Sequence, residues 1–165
     1  MPTSLKANEL ASQFETRAEE FARFLEELSS EQWSTVVPGE ERTVAALARH
    51  IGWGFGYEMT AFTAFTEGRP FEPETLAHFA EMNAANGAEY AACPQPDTIQ
   101  FIRHEAALAA EQVRAFSDES LARLGRYVDI IQERSVEVWI ERTLIGHIGM
   151  HELTIREALG LAAPA

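Results

Sequence analysis

The sequence is short of several residue types, and each shortage closes a class of function. It has a single cysteine, Cys93, which excludes an internal disulfide and any metal cage built from thiolates. Cys93 precedes Pro94 in an expected loop with no histidine beside it, so it reads as a passive thiol rather than a nucleophile. Lys6 is the only lysine, and neither a Gly-x-Ser-x-Gly elbow nor a phosphate-binding loop occurs. Positive charge is scarce: the net charge of -13 sets any nucleic-acid contact against repulsion and disfavours anionic membranes. The longest apolar-plus-glycine run, Ile51 to Tyr57, falls far below the ~18 residues of a membrane span. The N-terminus lacks the basic-then-apolar layout of a secretion signal, so a cytoplasmic location is expected, with neither nucleic acid nor membrane as partner.

What remains is the composition of an ordinary globular protein, 46% hydrophobic and 24% charged over 165 residues, enough for one domain over residues 1–165. The apolar spacing is helical almost throughout and predicts an all-α fold. A first helix is expected from about Ser4 to Leu28, with Leu10, Phe14, Phe21, Leu25 and Leu28 on one stripe. After a connection broken at Pro38-Gly39, with Trp33 plugging the bundle end, a second runs from a Thr43 cap to Glu67. Its stripe is Val44, Leu47, Ile51, Phe55, Met59 and Phe62. A weakly patterned segment, Glu74 to Ala92, precedes a helix expected to open on an Asp97–Gln100 capping box, striped by Ile99, Ile102, Ala106, Ala109, Val113 and Phe116. Ser117 to Leu124 predicts a short extra helix, Gly125 to Arg134 reads as irregular, and a last helix covers Ser135 to Leu159. Four long helices with about thirty residues between the second and the next strongly amphipathic one predict a four-helix bundle with one long crossover.

The histidines carry the chemical signal. In the last helix the inward stripe steps through Val136, Ile140, Leu144, His147, His151, Ile155 and Ala158. His147 and His151 therefore occupy consecutive inward positions one turn apart, where two imidazoles share one ion. Two neutral imidazoles in a dry core are otherwise costly. Zinc-type sites commonly take three protein ligands and keep one position open, and His50, three residues past Leu47, is the candidate third. Zinc and nickel both suit three imidazoles. Five of the ten glycines, at 52, 54, 56, 146 and 149, sit beside these histidines inside helices, at a cost of roughly 1 kcal/mol each. Close helix contact and room for a ligand are equal explanations. Trp53 and Tyr57 lie three and seven residues past His50 and would line a pocket on its side, or simply pack in the core. His78 and His104 read as surface or boundary residues. Glu152 follows the second histidine instead of lying between the two, which breaks the zinc-protease pattern and makes it a poor general base.

The segments Leu28-Ser-Ser-Glu-Gln-Trp33, Pro38-Gly-Glu-Glu-Arg-Thr-Val-Ala-Ala-Leu-Ala-Arg-His50, Asn83-Ala-Ala-Asn86 and His147-x-x-x-His151 followed by Ile155-Arg-Glu-Ala-Leu159 resemble the DinB-like superfamily. That superfamily includes the N-terminal domain of mycothiol-dependent maleylpyruvate isomerase. The resemblance implies an up-down-down-up four-helix bundle, often a homodimer, with one divalent metal on three histidines that match His50, His147 and His151. It implies metal-dependent transferases that use a low-molecular-weight thiol, such as mycothiol, bacillithiol or glutathione, on a small-molecule substrate. Metal-dependent hydrolysis and a non-catalytic, stress-linked binding role remain the alternatives.

Overall fold

The computed structural model describes residues 4–69, 71, 76–127 and 132–163, with 76–79 described by their backbone alone. The elements in chain order are α1 (Leu5–Glu26), α2 (Ser30–Trp33), β1 (Val36–Val37), β2 (Arg42–Thr43), α3 (Val44–Thr66), α4 (Leu76–Glu89), α5 (Gln95–Arg114), α6 (Asp118–Ala122), β3 (Leu124–Gly125), β4 (Arg134–Ser135), α7 (Val136–Trp139), a π-helical segment (Ile140–Ile145) and α8 (Gly146–Ala158). The π-helical segment joins α7 to α8 without a break. This last stretch is therefore the fourth long rod, beside α1, α3 and α5. Among the described residues no helix is long and apolar enough to cross a membrane.

The rods form where the apolar stripes lie. Ser4 caps α1 by accepting from the Ala7 amide at 3.0 Å, and Thr43 caps α3 through the Ala46 amide at 3.1 Å, each satisfying a donor that the first turn leaves open. α5 packs along both α1 and α3, and the last stretch touches α1 and α3 in turn. The stripes of α1 and α3 meet in the middle, where Phe14 and Phe55 stand edge to face with centroids 4.9 Å apart. Phe14, Phe21, Phe55, Phe62, Leu47 and Ile102 are all fully buried, each contributing about 1.5–3 kcal/mol of hydrophobic stabilisation. Trp33 is buried as expected and ties α2 to the connection between α4 and α5 by donating from Nε1 to the Cys93 carbonyl at 2.8 Å.

Three expectations are corrected. Helix α5 opens earlier than an Asp97 cap would allow: its N-cap is Pro94, no side chain caps it, and Asp97 lies within the first turn. Proline is favoured at such a start, since a first-turn amide has no helical partner, and Asp97 there still complements the helix dipole. The stretch read as irregular is bounded by a ladder pairing Leu124 with Ser135 and Gly125 with Arg134. The pairing joins two short segments that no single apolar run signals; Val128, Ile130 and Ile131 lie outside the described residues. In the last rod, Ile148 is fully buried though it was not on the expected stripe. It lies four residues past Leu144 and beside His147, and with His151 and Ile155 also buried the inward face of this rod is wide enough to take them all.

Candidate metal centre

His50 on α3 faces His147 and His151 on α8. One ligand atom from each of the three lies within 4.8 Å of the others, and the Nε2 atoms of His147 and His151 are 2.8 Å apart. The His50 ring stands edge-on to both partners, 5.6 Å from each centroid. Two tests favour a metal here. A tetrahedral ion with N ligands holds its nitrogens about 3.3 Å apart, so the pair on α8 needs to open by only about half an ångström. Burial also works against protonation. It lowers His50 to a pKa of about 3, helped by Arg42 and His147, and His151 to about 3, helped by His147, His50 and Arg42. Burial and Arg42 lower His147 as well, against Glu40. All three rings are thus neutral near pH 7, the form that coordinates metal.

Their aim comes from the backbone. In the π-helical segment the Gly146 amide reaches back to the Glu141 carbonyl, and a Cβ on Gly146 would stand 3.2 Å from that oxygen. The glycine thus accommodates a wide turn directly before His147. Gly54 lies under the His147 ring, where a Cβ would be 3.8 Å from Cε1, and a Cβ on Gly52 would stand only 3.0 Å from the side chains of Phe101 and Ile102 of α5. At Gly52 the reason is close helix contact.

The hairpin β1–β2 brings two further groups that the sequence did not single out. Its turn contains Gly39 at φ 81° and Glu41 at φ 53°, both left-handed. Glu40, between them, places Oε1 3.5 Å from Nδ1 of His151 and Oε2 2.5 Å from Nη2 of Arg42. One carboxylate thereby joins a candidate ligand to an arginine that is only 8% exposed. The His151 Nδ1 is buried without a hydrogen-bond partner among the described residues, and the Glu40 carboxylate, 3.5 Å away, is an acceptor within a small shift of it.

The family model of the mycothiol maleylpyruvate isomerase N-terminal domain matches residues 14–142. The chain belongs to that family. The match includes His50 and stops short of His147 and His151, so the α8 pair rests on the geometry above. No curated protein matches the sequence. Among solved structures, the chain is similar to YfiT from Bacillus subtilis, described as "a probable metal-dependent hydrolase with an unusual four-helix bundle topology", with a TM-score of 0.76 at 12% identity, over 98% of this chain and 92% of that one. At that identity the likeness shows the shared four-helix bundle.

The remaining candidates in this mycothiol-isomerase-like domain lie away from the three converging nitrogens or have partners of their own. Trp53 and Tyr57 are half-buried and stacked on each other at 5.3 Å, with Tyr57 edge-on to Phe71. Cys93 is engaged by Thr98, whose hydroxyl donates to its sulfur at 3.1 Å. His104 is exposed, and the side chain of His78 lies outside the described residues. Glu152 is 2% exposed and clamped by Arg17 at 2.6 Å and Arg156 at 2.7 Å, a buried carboxylate held by two half-buried arginines from α1 and α8. Its burial is not apparent from the sequence because one of its two partners, Arg17, comes from α1. A second buried carboxylate, Glu58 on α3, accepts from Tyr127 and from Thr143 of the π-helical segment. Burial raises its pKa to about 7 against those two hydrogen bonds.

Proposed function

We propose that this protein is a metal-dependent enzyme in which His50, His147 and His151 hold one divalent ion, zinc or nickel. We infer that it transfers a low-molecular-weight thiol, such as mycothiol, bacillithiol or glutathione, to a small electrophile. The observation that carries the reading is the convergence of three neutral ring nitrogens within 4.8 Å. When bound, such an ion supplies a Lewis acid that favours thiolate over thiol, or hydroxide over water, near neutral pH.

The chain's own residues supply the rest. Burial keeps the three imidazoles unprotonated, assisted by the charge of Arg42, so their lone pairs stay available. With the Nε2 atoms of His147 and His151 converging, the proton of His151 belongs on Nδ1, where Glu40 is the acceptor that fixes tautomer and ring angle. Arg42 in turn holds Glu40. The only cysteine is engaged by Thr98 and Ala45, which supports a thiol that comes from outside. Trp53 and Tyr57 are proposed to form an apolar wall on the His50 side. Membership of a family named for a mycothiol-linked isomerase supports the thiol class.

Metal-assisted hydrolysis is the second reading, favoured by the bundle shared with the Bacillus subtilis protein. Bound metal is measured first, by mass spectrometry on tag-free protein beside His147→Ala. About one equivalent, lost in the variant, is expected for a three-histidine site. Thiol coupling to a generic electrophile should then require metal; equal rates with chelated protein would overturn the transferase reading. Thiol-independent, metal-dependent cleavage of an ester would select the hydrolase.

A further inference from the structure

A cavity of about 570 Å³ opens between the β1–β2 hairpin and α4, lined in part by Glu40, Glu41, Arg42, Asn83, Gly87 and Ala91. Its size is that of a small-molecule site, and it adjoins the metal centre through Glu40, which lines it and stands 3.5 Å from His151. Two polar atoms at this place are buried without hydrogen-bond partners among the described residues: Nη1 of Arg42 and Oδ1 of Asn83. Unmade hydrogen bonds on buried groups are costly, and most such groups find a partner. Arg42 is also seated there with care. A Cβ on Gly87 would come within 2.9 Å of its Cγ and 3.2 Å of its Cδ, so the helix keeps a notch where the arginine stem lies.

The two unsatisfied atoms are complementary: a guanidinium N–H that needs an acceptor and an amide oxygen that needs a donor. A carboxylate would answer the first but not the second, and it would meet the carboxylates of Glu40 and Glu41 on the same wall. A neutral amide answers both, its carbonyl accepting from Arg42 and its N–H donating to Asn83. We propose that this cavity is a subsite for a secondary amide of the small-molecule ligand, read by Arg42 and Asn83. The subsite rests on the metal-centred thiol reading for its purpose, since it would seat the amide of a peptide-like thiol beside the three histidines.

The test uses chelator-treated protein, so that metal uptake and amide recognition succeed or fail separately. N-methyl-3-mercaptopropanamide, its ester counterpart methyl 3-mercaptopropanoate and the parent acid are titrated by NMR, following the resonances of residues 40–43 and 80–91. The amide should bind about tenfold more tightly than the ester or the acid, the loss expected for one buried polar group left unpaired. Arg42→Gln and Asn83→Ala should each erase that preference while the rest of the spectrum keeps its dispersion. Asn83→Ala is the safer variant, because Arg42 also holds Glu40. Equal affinities for the three compounds, tightest binding of the acid, or shifts absent from the cavity residues would each overturn the proposal.

Discussion

Acid should unfold the metal-free protein through its histidines. Their folded pKa values are depressed, so between the folded and the unfolded value the unfolded chain binds more protons. The associated stability is complete above the unfolded value of 6.5 and is lost as pH falls towards about 3. At pH 5 each of His50 and His151 lies about 1.5 units below the unfolded value, which corresponds to about 2 kcal/mol apiece. Together they remove at most about 4 kcal/mol, a large share of a typical 5–15 kcal/mol. Glu58 works in the opposite direction over an overlapping range, since its raised pKa favours the folded state at low pH. The wild type must therefore be compared with a His50→Leu, His151→Leu variant that keeps Glu58. Urea unfolding followed by circular dichroism at pH 7, 6 and 5, with chelator present, gives the two slopes. The variant should lose markedly less stability than the wild type across this range. Parallel losses would show that the rings are hydrated and titrate normally, and the argument for a neutral, metal-ready cluster would fall.

Glu58→Gln should remove a pH dependence of the other sign. The wild type gains stability from a retained proton that is complete below pH 4.5 and lost as pH rises through about 7, so the two proteins should diverge by up to about 3 kcal/mol across that window in urea titrations. Gly125→Ala places a methyl 2.2 Å from Cγ of Phe65, a ring already packed edge-on against Phe71 and Tyr127. A loss of about 3 kcal/mol, or roughly 6–12 °C in Tm, is expected in a thermal melt, and an unchanged melt would show that the ring has room to move. Glu152→Gln strips the carboxylate charge from between Arg17 and Arg156 and should destabilise by about 2–4 kcal/mol in urea; a neutral outcome would mean that water reaches both guanidiniums.

The rods were legible because each buries one continuous stripe: the residues predicted inward on α1 and α3 are all buried. The three histidines were legible for the same reason, as polar residues on or beside apolar stripes. What was hidden depends on partners distant in sequence. Glu152 is buried because α1 brings Arg17 to it, across 135 positions. Glu40 and Arg42 gain meaning only when a two-residue ladder lays them beside α8 and α4. Nor does any residue between Ile140 and Ile145 announce a π turn. A glycine at its exit permits one, but the same glycine would serve in an ordinary helix.

That turn gives the last rod an unusual relation to insertions and deletions. Glu141 and Arg142 within it are exposed, so losing one of them would remove little buried surface and would let the widened turn revert to regular helix. The turn would absorb the loss and leave His147 and His151 facing His50, whereas the same deletion in a regular stretch of helix would rotate everything after it by about 100°. A relative shorter by one residue in this stretch could therefore keep the three histidines together with a regular helix in place of the widened turn. In comparing such chains, the place of a gap matters more than its presence: within the widened turn it is absorbed, between His147 and His151 it is not.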